Sequence, residues 1–167
     1  MLAAARPHWV LTTEELVELG LTHDQIGRRM ASGFLHRRHR GVYAVGRPEL
    51  SFEGACLAAA RACGESAAVC SVSAGGLWEL RKAGGPIHVV APRSRTKHPG
   101  LIVHRPRSLP ADAVTVHKGI PVTTVARTLL DMAPALSDRQ LGCRRCNSER
   151  GLCVLGRRPD LTAVCSP

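Results

Sequence analysis

The residues whose chemistry stands out first are cationic. Between Asp24 and Glu49 the chain carries no acidic side chain, while Arg28, Arg29, Arg37, Arg38, Arg40 and Arg47 occur there with His36 and His39. A guanidinium is a planar fork of donors that meets a phosphate or a guanine edge with two parallel hydrogen bonds, so this clustering points to recognition of a polyanion. A second stretch holds Arg81, Lys82, Arg93, Arg95, Lys97, Arg105 and Arg107, again without an acid. Arg93, Arg95 and Lys97 fall in the loop PRSRTKHPG between two expected strands, where a second phosphate contact is sterically easy. A solvated charged loop is the other reading of that composition.

The remaining reactive residue types are set less favourably. Metal-dependent phosphodiester cleavage needs two or three carboxylates gathered beside a lysine. No Asp or Glu lies between Glu79 and Asp112, and Asp112, Asp131 and Glu53 belong to different elements. No enzymatic activity is expected. His104 and His117, expected on neighbouring strands, have no Ser or Cys nucleophile motif beside them and read as sheet-surface histidines. Cys56, Cys63 and Cys70 recur every seven residues; within a helix that places successive thiols about 10.5 Å apart, too far for a disulfide, so they read as small buried hydrophobes. In the last segment Cys143, Cys146, Cys153 and Cys165 begin with the C-x2-C of a zinc knuckle, but the later spacings match no common ribbon. No metal or cofactor is expected, and a zinc-dependent interaction module is the lesser alternative.

Composition narrows the partner. The chain has 167 residues, 44% of them hydrophobic, which suits one compact domain or two small ones. Lys+Arg 23 against Asp+Glu 13 leaves a net charge of +10, and 20 of the 23 cations are arginine. A GC-rich genome also favours arginine codons, but the excess still calls for a polyanionic partner. Aromatic residues make up only 3%, which is poor material for the stacking platforms that read single strands and RNA loops. Duplex DNA is therefore the expected partner. No apolar run approaches the roughly 18 residues of a membrane span, and the start MLAAARPHW lacks the pattern of a secretory signal, so a cytoplasmic protein with reduced thiols is expected.

The elements that must carry the basic residues can be read from caps and breakers. Thr12 or Thr13 caps a first helix, with Glu14 and Glu15 in its first turn and Leu16, Val17 and Leu19 as its apolar side, and Gly20 stops it. Leu21 packs into the turn. Thr22 caps a second helix from about His23 to Ser32, closed by Gly33. Ile26 and Met30 share its buried side, so Arg28, about 200° round from Ile26, faces outward. FLHRR, a turn at His39 to Gly41, and VYAV then form a hairpin with a basic tip. Helix, turn, helix and basic hairpin is the order of a winged helix, here over residues 8–46. Such a domain lays its second helix in the major groove and its wing on the adjacent phosphates. Thr22, Gln25 and Arg28 fall where base edges are read, His23 and Arg29 belong to the same DNA-binding set, and Arg37, Arg38 and Arg40 fall where backbone or minor groove is touched. Winged helices also serve as protein-interaction modules, which is the other reading.

After the linker GRPELS, Ser51 caps a helix over Phe52 to Cys63, and a further helix runs from Ser71 to Leu80, weakened by Gly75 and Gly76 at about 1 kcal/mol each. Strands follow at Ile87 to Val90, Leu101 to His104, Val114 to His117 and Ile120 to Val122. Thr123 or Thr124 opens a last helix through Met132, with Val125, Leu129 and Met132 on one side. The fold class is α+β: an N-terminal winged helix, a small mixed α/β domain over 51–141, and a tail over 142–167 in which apolar periodicity disappears and poor order is expected.

The stretches LTTEELVELGLTHDQIGRRMASGFLHRRHRGVYAVG, ACLAAARACG, LWEL and GIPVTTVARTLLDMA together resemble the AbiEi-like antitoxins of type IV toxin–antitoxin systems and related actinobacterial proteins, over roughly residues 8 to 141. The resemblance implies an N-terminal domain that binds operator DNA and represses its own operon. It also implies a second domain that neutralises a cognate nucleotidyltransferase-like toxin without stable contact. Some relatives continue into an endonuclease-like module whose carboxylates follow the LLD helix. Here the chain leaves that pattern, so the alternative is a truncated or frameshifted remnant of such a protein.

Overall fold

The structure, a computed structural model, describes residues 7–92, 98–107 and 109–133. After a 3-10 turn at Pro7–Trp9, strand β1 (Val10–Thr12) runs directly into helix α1 (Thr13–Glu18). Thr12 makes the change of geometry possible. Its hydroxyl accepts the Glu15 N–H at 3.3 Å while the Glu15 carboxylate accepts the Thr12 N–H at 2.9 Å, so two otherwise orphaned donors are satisfied. The same device opens α2 (His23–Ala31): Thr22 Oγ1 accepts the Gln25 N–H at 3.3 Å, and Gln25 Oε1 accepts the Thr22 N–H at 3.0 Å. The end of α2 is a Schellman turn around Gly33, which sits at φ +73 where a side chain would be strained. There Gly33 N–H donates to the Met30 carbonyl and Phe34 N–H to that of Arg29.

Strands β2 (Leu35–His39) and β3 (Val42–Val45) form the hairpin, and β3 is the centre of an antiparallel sheet ordered β1-β3-β2. The core of this half is Leu11, Leu16, Leu21, Ile26, Leu35 and Val45. Each helix therefore contributes one fully buried side chain. Val17, Leu19 and Met30, expected on buried faces, are exposed. The sheet's third strand explains the difference: β1 supplies Leu11 to the space that a wider helical face would otherwise have to fill.

The second half begins with α3 (Phe52–Cys63), capped by the Ser51 hydroxyl, which accepts the Gly54 N–H at 3.1 Å. There follow β4 (Ala68–Val69), α4 (Ser71–Leu77), β5 (Ile87–Val90), β6 (Leu101–His104), β7 (Val114–His117), β8 (Ile120–Thr123) and α5 (Val125–Met132). The sheet order is β6-β5-β4-β8-β7, with β5/β6 and β4/β8 parallel and β4/β5 and β7/β8 antiparallel. Its central strand, β4, is two residues long and left no periodicity to read. Helix α4 is shorter than expected because Leu80 N–H turns back to the Gly75 carbonyl at 2.9 Å. Gly75 and Gly76 are there for contact: a Cβ at Gly75 would lie 2.5 Å from Met132 Sδ, and one at Gly76 3.0 Å from the Phe52 ring. A buried pair at the start of α5 completes this face, with Thr123 and Thr128 hydroxyls 2.8 Å apart and Thr128 donating to the Thr123 carbonyl.

Helix α3 joins the halves. Val10 and Val42 of the first sheet share one core cluster with Cys56 and Leu57 of α3 and with Val69, Ile120 and Val122 of the second sheet. Arg61 of α3 donates to the Glu15 carboxylate at 2.7 Å and to the Val10 carbonyl at 2.8 Å. Residues to Met132 thus form one compact unit. Among the described residues no helix is long and apolar enough to cross a membrane.

Candidate nucleic-acid interface

The basic residues of the first half lie on α2 and on the β2–β3 hairpin. Ile26 anchors α2 to the core, and Thr22, His23, Gln25 and Arg28 are exposed. Thr22 and Gln25 also cap the helix. The Gln25 carbonyl oxygen is held by the Thr22 N–H, which leaves the amide NH2 of Gln25 as the part able to donate to a base edge. Arg29 is half-buried, with its guanidinium 5.9 Å from the centre of the Phe34 ring, and the cation–π contact holds the side chain across the helix end.

On the hairpin, Arg37 pairs with Tyr43 and His39 with Val42, so Arg38 is the additional residue of a β-bulge. A bulge redirects the side chain it carries. Arg38 Nη1 donates to the Pro48 carbonyl at 3.1 Å, using one of the five guanidinium donors, and Arg37 and Arg40 are exposed. The tip is anchored rather than projecting freely: the Gly41 carbonyl accepts the Thr13 N–H at 2.9 Å at the start of α1. Gly41 has φ +73, which lets the chain reverse there.

Electrostatically these arginines are available. Among the described residues, no carboxylate forms an ion pair with Arg28, Arg29, Arg37, Arg38 or Arg40. Ion pairs between described residues are Arg61–Glu15, Lys118–Glu79 and Arg127–Asp131. Burial, with His98 and Arg38 nearby, pushes the His39 pKa down, which disfavours a charge on its ring. Its ring meets His98 edge-on, with centroids 6.4 Å apart. That contact brings the hairpin tip beside the residue that follows Lys97, a proximity for which the sequence offered no signal.

Of the second basic stretch, Arg105 and Arg107 are exposed beyond the end of β6, while Arg93, Arg95 and Lys97 lie outside the described residues. The four cysteines of the tail lie outside them as well. Cys56, Cys63 and Cys70 are buried free thiols, as expected of small hydrophobes. Burial pushes the thiols of Cys56 and Cys70 up to about 12. Among the described residues no three His, Cys, Asp or Glu side chains are grouped to hold a metal ion.

The expected adjacency of His104 and His117 is wrong. Their strands, β6 and β7, are the two opposite edges of the sheet, separated by β5, β4 and β8. Sequence order suggested neighbours, but β4 inserts between them and β8 pairs with it in parallel. His117 instead packs on Trp78 with ring centroids 4.3 Å apart, and His104 Nε2 lies 3.0 Å from His88 Nδ1 on the adjoining strand.

The arrangement on α2 and the hairpin can bind anions through exposed guanidiniums; it assembles no nucleophile or acid–base pair. Comparison with known families gives a match: residues 60–141 fit the model of the AbiEi antitoxin C-terminal domain, from the last turn of α3 through the whole second sheet and α5. Comparison with curated proteins gives no match.

Proposed function

We propose that this chain, whose residues 60–141 belong to the AbiEi antitoxin C-terminal domain family, is a DNA-binding antitoxin in which residues 8–46 act as a winged helix on the operator of its own operon. Membership in an antitoxin family implies a cognate toxin. In this reading the toxin is nucleotidyltransferase-like, residues 51–141 neutralise it in the cytoplasm without stable contact, and no catalytic step falls to the chain itself.

The observation that carries the DNA-binding reading is the set of guanidiniums on α2 and the adjoining hairpin that no described carboxylate neutralises. Gln25, with Thr22 and His23 beside it, reads base edges from the first turn of α2, and Arg28 does so from its last turn. Arg29, Arg37, Arg38 and Arg40 bind phosphates. Arg105 and Arg107, with Arg93, Arg95 and Lys97, add backbone contacts from the second basic stretch.

The test is fluorescence anisotropy on a duplex from the protein's own upstream region and on a scrambled duplex, at salt concentrations from about 50 to 200 mM. Arg28→Ala is expected to relax preference at one base-pair position by about 1–3 kcal/mol, and Arg38→Ala to weaken every duplex alike and lower the salt slope by about one. Binding that ignores salt, or equal affinity for both duplexes, refutes the reading.

A further inference from the structure

We infer that the crevice between α5 and the end of β6 is a binding site for a small phosphate-bearing anion, held by Ser71, His104 and Arg127. The crevice has a volume of about 340 Å³ and lies on the face of the second sheet where Cys70 and Val90 form the floor. That volume is at the lower end of ligand pockets, which suits a small molecule.

Ser71 is the first indication. It is only 7% exposed, and among the described residues its hydroxyl has no hydrogen-bond partner. Ser71 lines the crevice, so a hydroxyl with no protein partner there is a donor and acceptor open to a ligand. The backbone of Ser71 is also unusual: φ is +51, a left-handed conformation that a serine adopts only under strain. Glycine would fit this corner between β4 and α4 more easily, and strain of this kind collects at binding sites.

The charges around it are arranged for an oxyanion. Arg127 donates from Nε to Asp131 Oδ1 at 2.8 Å. That bond fixes the plane of the guanidinium and leaves its two Nη groups, the edge able to meet two phosphate oxygens at once. Arg105 also lines the crevice. His104 Nε2 lies 3.0 Å from His88 Nδ1; where His88 is the donor of that bond, the N–H of His104 Nδ1 is a further donor. The floor contributes no opposing charge, because burial keeps the Cys70 thiol protonated.

The test is an NMR titration of the full-length protein, following the histidine Cε1–H resonances as inorganic phosphate replaces chloride at constant ionic strength. The resonances of His104 and His88 are expected to shift saturably while that of His117, on the opposite edge of the sheet, does not. Ser71→Gly is expected to weaken phosphate binding about tenfold, the worth of one hydrogen bond to a charged group, without lowering the melting temperature. Arg127→Gln should weaken it further, and if that variant fails to fold, Ser71→Gly carries the test. Adenosine 5′-monophosphate in a second titration separates the sources: tighter binding than phosphate assigns the site to a phosphate monoester, weaker binding to the free anion. Unmoved His104 and His88 resonances overturn the inference, as does an unchanged affinity in Ser71→Gly.

Discussion

Replacing Arg61 by alanine is expected to destabilise the protein by about 3 kcal/mol, because one guanidinium satisfies two groups on the other half of the molecule. The first is the Glu15 carboxylate at 2.7 Å, with side chains only 20% and 16% exposed. A charge-assisted hydrogen bond in such surroundings contributes about 1.5–3 kcal/mol. Glu15 keeps the Thr12 N–H, so the loss stays below the roughly 3–5 kcal/mol of stranding a buried charge outright. The second is the carbonyl of Val10, a residue with 0% exposure, whose loss of a donor adds about 1–3 kcal/mol. The two effects share one side chain and do not add fully, which gives the intermediate figure. Urea denaturation of the full-length protein measures it, with tryptophan fluorescence as the probe because Trp9 lies in the first half and Trp78 in the second. Glu15→Gln should cost less, since an amide oxygen still accepts from Thr12 and Arg61, and the Arg61/Glu15 double-mutant cycle should show a coupling of about 1–2 kcal/mol. An Arg61→Ala cost under about 1 kcal/mol, or strictly additive single and double variants, would refute the view that this pair clamps α1 to α3.

Gly75→Ala should cost about 1–3 kcal/mol, because the new Cβ would meet Met132 Sδ at 2.5 Å and Met132 is only 1% exposed; thermal melts of the single variant and of Gly75→Ala with Met132→Ala should show the second change partly relieving the first. Cys56 and Cys70, with thiols pushed up to about 12, should resist iodoacetamide at pH 8 in the native state and react in urea; native labelling at either position, read by peptide mass spectrometry, contradicts the burial argument. His39 is held below its ordinary value near 6.5 by burial, His98 and Arg38, and His88 by burial, His104 and Arg81. Both bases take up protons more readily once unfolded, so the stability they contribute is present above pH 6.5 and is lost as the pH falls from there toward their folded pKa values. The melting temperature should drop between pH 7 and 5, and less steeply in His39→Gln; a rise on acidification would be incompatible with these shifts.

Much of the first half was legible because its signals are local. Thr12 and Thr22 cap their helices through partners three residues ahead, Gly33 and Gly41 supply left-handed turns, and the hairpin follows from alternation around a glycine. Strand β1 was not legible, since three residues before a cap carry no period, and its place is decided by pairing with β3 some thirty residues later. For the same reason Val17 and Met30 were assigned to buried faces that β1 had already filled. In the second half the strand positions were readable from their β-branched runs, but their order was not. His104 and His117 illustrate the gap: adjacent strands in sequence became opposite edges once a two-residue strand, β4, took the centre.

Charge, the basic run on α2 and the hairpin, the helix starts and the burial of three thiols all follow from residue type and near neighbours, so the chain alone settles them. Which groups meet across the molecule was left to folding. Glu15 with Arg61, His88 with His104, and Gly75 with Met132 are separated by 46, 16 and 57 positions, and such pairs form only when sheet order and helix packing bring them together. Local hydrogen bonding is written in the spacing of a few residues, whereas long-range contact is selected by the shared burial of apolar surface, which many residue pairs can satisfy and only one arrangement of the whole chain does.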